Sequence, residues 1–266
     1  MNPNGKCSII QINNKKGETI IMGQVLKLSN FLKVFPACII SAAMFFATVW
    51  FLYKGNGDPT DQIISVVATI VCLLLFIATY AFQNRLIADY LVAKFNEEEP
   101  PEYKDVLDEA KGAFIPTALI LLVMCLMYNL IIPMIGSMAG EIFQVDIGFE
   151  FNILTLIINL SCITWMFLAI ASVNTIGAGF LDTFSFVFGF VFSHFAKVVA
   201  FIVTVAFSMF VMQFVIVSVA SGNQLFMMPL KALVLAYIFG LTNTYAAYLV
   251  VNNVTEEDLA DDEEDE

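Results

Sequence analysis

The chain has 266 residues, of which 59% are hydrophobic and 14% charged, and its mean hydropathy is +0.83. That composition lies far from the globular average and excludes a soluble fold; six membrane spans with their connections consume nearly the whole length and leave no separate soluble domain. The net charge of -12 is concentrated at one place, because nine of the 24 acids fall between Glu256 and Glu266, and a body this poor in bases excludes a nucleic-acid partner.

Residues 1–23 form a polar cytoplasmic N-terminal segment with a lysine pair and no apolar core before a small-residue cleavage site, so no cleavable signal peptide is expected. Within it, the apolar-rich runs Cys7 to Ile12 and Glu18 to Met22 flank the turn-prone Asn13-Asn14-Lys15-Lys16-Gly17. This pattern predicts a small β-hairpin.

From Gln24 the period changes. Val25, Leu28, Leu32 and Phe35 recur at three- and four-residue steps, with Lys27, Asn30 and Lys33 between them, which predicts an amphipathic helix in the membrane interface. Pro36 then opens a first span over 36–53, Lys54 to Pro59 turns the chain outside, and a second span covers 61–83. Arg85 and Asp89 follow at i,i+4 spacing, either paired or, as the preferred reading, anchoring the helix end at the headgroups. Together these make a first repeat, 24–95.

The second repeat, 96–173, begins in the most polar internal loop. Pro100-Pro101 and the acids Glu102 and Asp105 start a second interfacial helix, Tyr103, Val106, Leu107 and Ala110 line one face, and Lys111-Gly112 ends it. Spans over 113–135 and 151–173 follow, joined by an external loop.

The third repeat, 174–251, has seven phenylalanines from Phe180 to Phe195, five of them on alternate residues from Phe184 to Phe192. Alternation suggests a strand, but an unpaired strand at a membrane leaves backbone groups unsatisfied at several kcal/mol each, so a helix is predicted. Asp182 or Thr183 would cap it, and Phe184, Phe188 and Phe192 would stack on one face beside Phe195. It is expected to lie in the interface, re-enter the bilayer or pack fully. Spans over 196–219 and 228–251 complete the unit, with Lys197 near enough to the inner end to snorkel. An acidic cytoplasmic tail, 252–266, closes the chain and is expected to be solvated.

Two internal matches point to a threefold repeat. Phe35-Pro36, Ile115-Pro116 and Phe195-Ala196 align at an offset of 80, and Asn84, Asn174 and Asn243 begin matching N-x3-A-x2-[LV] patterns at offsets of 90 and 69. The expected fold is therefore an all-α polytopic membrane protein with six transmembrane helices, arranged as three copies of an interfacial helix plus two spans. Placing the N-terminus in the cytoplasm puts ten of the 12 lysines and arginines inside and only Lys54 and Lys231 outside. The positive-inside rule thus predicts both termini in the cytoplasm of a cell (inner) membrane protein.

Chemistry is sparse. His194 is the only histidine, a bland interfacial residue or a pH-sensitive contact. The five cysteines lack paired spacing and read as small packing residues. There is no G-x-S-x-G, phosphate-binding Gly loop, H-E-x-x-H or zinc-ligand set, so neither an enzyme nor a cofactor or metal is expected. The middle of each span has no Asp, Glu, Lys or Arg, which argues against proton-coupled transport. Asn129, Asn159, Thr164, Gln213 and Asn243 remain, as interhelical packing contacts or a permeation path. The candidate positions are the repeat asparagines Asn84, Asn174 and Asn243, for which a shared polar ring competes with a role of Asn84 and Asn174 in fixing helix ends, together with Arg85, His194 and Lys197.

In the run Arg85 to Tyr90, the polar Glu97 to Tyr103 loop and Asp105 to Pro116 leading into a span, the layout resembles prokaryotic six-helix membrane families of the glycerophosphodiester phosphodiesterase membrane-domain type and their uncharacterised relatives. The resemblance implies a multi-span membrane module with recurring interfacial helices and carries over no catalytic residue. Mitochondrial carriers are set aside, because their P-x-[DE]-x-x-[KR] signature is missing at Pro36, Pro116 and Pro133. The expected function is a non-enzymatic membrane protein that organises lipid, or a protein partner at the cytoplasmic face, through interfacial helices and the acidic tail. A channel or facilitator along a pseudo-threefold axis is the alternative.

Overall fold

The structure, a computed structural model, describes residues 28–54, 59–95, 98–127, 149–220 and 228–253. The predicted N-terminal hairpin, residues 55–58, 96–97 and 221–227, residues 128–148 with the end of the predicted 113–135 span, and the acidic tail lie outside the described residues. Among the described residues every element is a helix, and there are seven: α1 (Leu28–Lys54), α2 (Pro59–Phe95), α3 (Tyr103–Leu126), α4 (Phe149–Thr175), α5 (Phe180–Ser193), α6 (Phe195–Ala220) and α7 (Met228–Asn253). Five of them, α1, α2, α3, α4 and α7, are long and apolar enough to cross a membrane. The pair α5 and α6, bent by 107° at His194, adds a sixth if counted as one span, so the chain has the make-up of a multi-pass helical membrane protein.

Two of the three predicted lead-in helices are not separate elements. α1 runs unbroken through Pro36, and α3 runs unbroken from Tyr103 through Gly112 and Pro116 to Leu126. Each proline costs its helix one backbone hydrogen bond, a loss that an apolar surrounding and neighbouring helices tolerate. Gly112 does not end a helix, and α3 keeps a continuous buried seam, Val106, Ala110, Ala113, Thr117, Ile120 and Met124, on both sides of it. Of the predicted apolar face, Val106 and Ala110 are buried and Tyr103 and Leu107 are exposed.

The lead-in of the third unit does separate, although it has Ala196 where the others have proline. His194 N–H donates to the Phe190 carbonyl at 2.9 Å, closing α5, while its own carbonyl accepts from Lys197 N–H at 2.9 Å and Val198 N–H at 3.0 Å, opening α6. One residue thus ends one helix and starts the next. The predicted cap is displaced as well: α5 begins at Phe180 with Gly179 as N-cap, Asp182 lies in its first turn, and Thr183 Oγ1 donates back to the Gly179 carbonyl at 2.7 Å. Upstream, Gly177 has φ 70°, a left-handed conformation that L side chains rarely adopt, and this lets the chain turn from α4 into α5.

α7 is the central element. It packs against α1, α2, α4 and α6, and 61% of its apolar window is buried against 17% for α2. Phe239 in α7 meets Phe45, Tyr80 and Phe167 at ring-centroid distances of 6.2, 6.3 and 6.3 Å, which joins three helices around it. Burial is concentrated where α2, α4 and α7 finish. In α2 the early residues Ile63, Ile64, Val66, Val67, Ile70 and Val71 are exposed, whereas Tyr80 and Leu86 to Ala88 are buried. At 37 residues, α2 is about 55 Å long, beyond the roughly 30 Å of bilayer hydrocarbon, so it extends well past the predicted span end at Gln83. This tightly packed region is called the closed end below.

Candidate functional site

The most polar part of the described interior lies at the closed end and is built on two adjacent residues of α2. Asn84 and Arg85 follow each other on a helix, so their side chains diverge by about 100° and reach different neighbours.

Arg85 turns toward α3 and α4. Its Nε lies 2.9 Å and 3.1 Å from the two carboxylate oxygens of Asp89 one turn on, its Nη1 donates to the Asn174 carbonyl at 3.0 Å, and its Nη2 pairs with Glu109 of α3. The side chain is only 10% exposed. A planar guanidinium suits this arrangement, since its fork of N–H groups serves three acceptors at once where an ammonium would serve them poorly. Asn174 is the penultimate residue of α4, so its carbonyl belongs to the last turn, whose carbonyls lack intrahelical partners and carry the negative end of the helix dipole. Arg85 therefore caps α4 from another helix. The preferred sequence reading, an anchor reaching headgroups, is corrected here: the residue is turned inward and consumed by protein partners.

Tyr80 sits one turn before Asn84 and turns toward α7. Its hydroxyl donates to Asn243 Oδ1 at 2.9 Å, and Asn84 Nδ2 donates to the Tyr80 carbonyl at 2.8 Å. Asn174 Nδ2 makes the corresponding bond to the Ile170 carbonyl, also at 2.8 Å. Two of the three repeat asparagines thus use their amide on their own preceding turn, while the third accepts from a tyrosine across the bundle. Asn84 does not fix a helix end, because α2 continues to Phe95. Nor do the three form a directly bonded ring among the described residues: Tyr80 links Asn84 to Asn243, and Arg85 links α2 to the Asn174 backbone.

The same end holds Gln83 Nε2, Asn174 Oδ1 and Asn243 Nδ2 as buried polar atoms without a hydrogen-bond partner among the described residues. Thr164 Oγ1 and Asn159 Oδ1 in α4 share that condition; the side chains of Asn129 and Gln213 lie outside the described residues. Nearby, Ser208 of α6 and Thr242 of α7 share a hydroxyl–hydroxyl hydrogen bond of 2.5 Å.

His194 and Lys197 belong to a different place, the α5–α6 elbow. The imidazole stacks on Phe190 at 4.7 Å with an interplanar angle of 26°, and its Nδ1 is buried without a partner among the described residues. Lys197 is exposed at the start of α6. The expected stack of Phe184, Phe188 and Phe192 does not form: Phe184 packs on Trp165 at 4.5 Å and on Phe180 at 5.1 Å, while Phe188, Phe192 and Phe195 face outward.

Among the described residues no three His, Cys, Asp or Glu side chains approach closely enough to hold a metal ion. The sequence signal for the clamp was the Arg85–Asp89 spacing. Glu109 and Tyr80 carry no such signal: Glu109 lies in the charged stretch that predicts an interfacial helix, and Tyr80 is one more aromatic in an apolar span. No family model, curated protein or solved structure matches the chain.

Proposed function

We propose that the chain is a non-enzymatic integral membrane protein that organises lipid or a protein partner at the cytoplasmic face of the cell (inner) membrane, in keeping with the multi-span module its layout resembles. The observation that carries this reading is the Arg85 clamp. The strongest polar groups of the described interior are engaged in tying α2, α3 and α4 together, which is what a rigid platform requires.

In this reading six spans form three repeats, with the closed end and both termini in the cytoplasm. Support comes from the i−4 bonds of Asn84 and Asn174 and from those of the residues after the second and third asparagines, Thr175 to Ala171 at 2.8 Å and Thr244 to Gly240 at 2.7 Å. The acidic tail recruits a basic partner to the platform. Mild-detergent purification of the wild-type chain, the Arg85→Ala variant and a chain lacking Glu256 to Glu266 tests it, with co-purified lipid and protein identified in each. Loss of tail-bound protein on truncation, and of lipid or protein on Arg85→Ala, is expected; recovery unchanged in both variants rejects the platform.

One observation favours a second reading, a facilitator for a small polar solute. Gln83 Nε2, Asn174 Oδ1 and Asn243 Nδ2 are buried on three helices without a partner among the described residues, and leaving such groups unpaired costs about 1 to 3 kcal/mol each. Solute flux in proteoliposomes that disappears with Asn243→Leu would establish that path in place of the platform.

A further inference from the structure

Apart from the half-buried Phe180, Phe184, Phe186 and Val191, the residues of α5 sort into three groups with three different surroundings. Thr183, Val187 and Phe190 are buried, facing the bundle where α5 packs against α3 and α4. Leu181, Phe188 and Phe192 are 77%, 59% and 79% exposed and entirely apolar. Asp182, Ser185, Gly189 and Ser193 are also exposed, and all of them are polar or small. The outward surface of α5 is therefore divided lengthwise, with an apolar edge beside a polar one.

We infer that α5 lies in the plane of the membrane at the cytoplasmic headgroup boundary, its Leu181–Phe188–Phe192 edge among acyl chains and its Asp182–Ser185–Gly189–Ser193 edge in water. The inference deepens the platform reading, and rests on it, by naming the helix and the lipid region it engages.

Three features select lipid as the occupant. The 107° bend to α6 places α5 close to the membrane plane when α6 crosses. Beyond the bend, Phe195 and then Val199, Val203, Phe207 and Phe210 of α6 are exposed as well, so outward apolar side chains lie on both sides of the corner. A lipid boundary is also the environment that demands polar and apolar edges side by side along one helix, as in-plane helices display. The polar edge has one acid, Asp182, and no base, which fits zwitterionic headgroups better than anionic ones.

Single cysteines at Phe188, Phe192, Ser185 and Gly189 test the assignment. They are placed in the full chain with Cys7→Ser, reconstituted in phosphatidylcholine vesicles and exposed on both sides to a maleimide too polar to enter hydrocarbon. All four positions point outward, so none of the changes opens the core, and the parent chain supplies the background from the remaining cysteines. Ser185→Cys and Gly189→Cys are expected to label at least about tenfold faster than Phe188→Cys and Phe192→Cys, because an apolar surrounding suppresses the reactive thiolate. The ratio is expected to hold as lipid is added in excess. Equal rates at all four positions overturn the assignment, and so does protection at Phe188 and Phe192 that vanishes on lipid dilution, which identifies a second copy as the occupant. Equal labelling alongside intact lipid and partner recovery removes only the in-plane assignment. Unchanged recovery in the Arg85→Ala and tail-deleted chains removes the platform, whatever the labelling ratio.

Discussion

The Tyr80 hydroxyl donates to Asn243 Oδ1 at 2.9 Å across 163 positions of sequence, joining the second described helix to the last. Both side chains are buried, and the rings of Phe239 and Phe76 lie 6.3 Å and 5.4 Å from that of Tyr80. In so apolar a setting the bond specifies how α2 and α7 face each other more than it adds stability, since polar contacts between membrane helices average about 0.6 kcal/mol.

Replacing Tyr80 by phenylalanine removes the donor and strands the Asn243 carbonyl oxygen. The expected loss is about 1 to 3 kcal/mol, read as a shift in the unfolding midpoint during titration with SDS in mixed micelles. The double change Tyr80→Phe with Asn243→Leu removes both partners and is expected to be more stable than Tyr80→Phe alone. A double variant weaker than the single one would show that Asn243 serves something other than Tyr80.

Arg85→Ala leaves Asp89 without its ion-pair partner and the α4 terminus without its cap. A destabilisation of about 3 kcal/mol is expected, the low end for a broken buried pair, because Glu109 keeps 42% of its side chain exposed. Arg85→Lys is expected to recover only part of this, since a single ammonium cannot hold acceptors on three helices at once. Full recovery by lysine in the same SDS titration would mean that charge alone matters and the fork does not.

Two glycines are expected to respond in opposite directions to alanine. A Cβ added at Gly112 meets nothing within 4 Å, and the site is helix interior, so Gly112→Ala should stabilise by about 0.5 to 1 kcal/mol. At Gly177, with φ 70°, the same change should destabilise by about 1 to 2 kcal/mol. Thermal melts in one detergent compare the pair directly.

The orientation is open to labelling from the two sides of the membrane. Cysteines introduced at Lys15 and Asp262 are expected to react from the same, cytoplasmic, side. Reaction from opposite faces would require an odd number of crossings and would end the three-hairpin arrangement.

The sequence made the helices and their span-like lengths legible, because runs of about 20 apolar residues bounded by charge and turn residues have few other solutions in a membrane. Of the three breaks it expected, it misplaced two and placed the third, before Ala196, within two residues of the bend. Pro36 and Pro116 resembled helix starts, yet each is absorbed within a continuous helix, while the bend falls at His194, where neither proline nor glycine marks it. A proline reports only the loss of one donor; whether the axis turns depends on what the next helix packs against. The clamp was half legible, as the i,i+4 pair of Arg85 and Asp89 follows from local periodicity. Glu109 and the Asn174 carbonyl are contributed by other helices, and no local pattern announces them.

Every partner of Arg85 lies before the α4–α5 turn: Asp89, Glu109 and the Asn174 carbonyl. The clamp can therefore close during translation, as soon as α4 has been laid down, while the Tyr80 hydroxyl must wait for α7, the last of the described helices. The order in which these partners emerge thus lets α2, α3 and α4 be held together before α7 arrives to pack against α1, α2, α4 and α6.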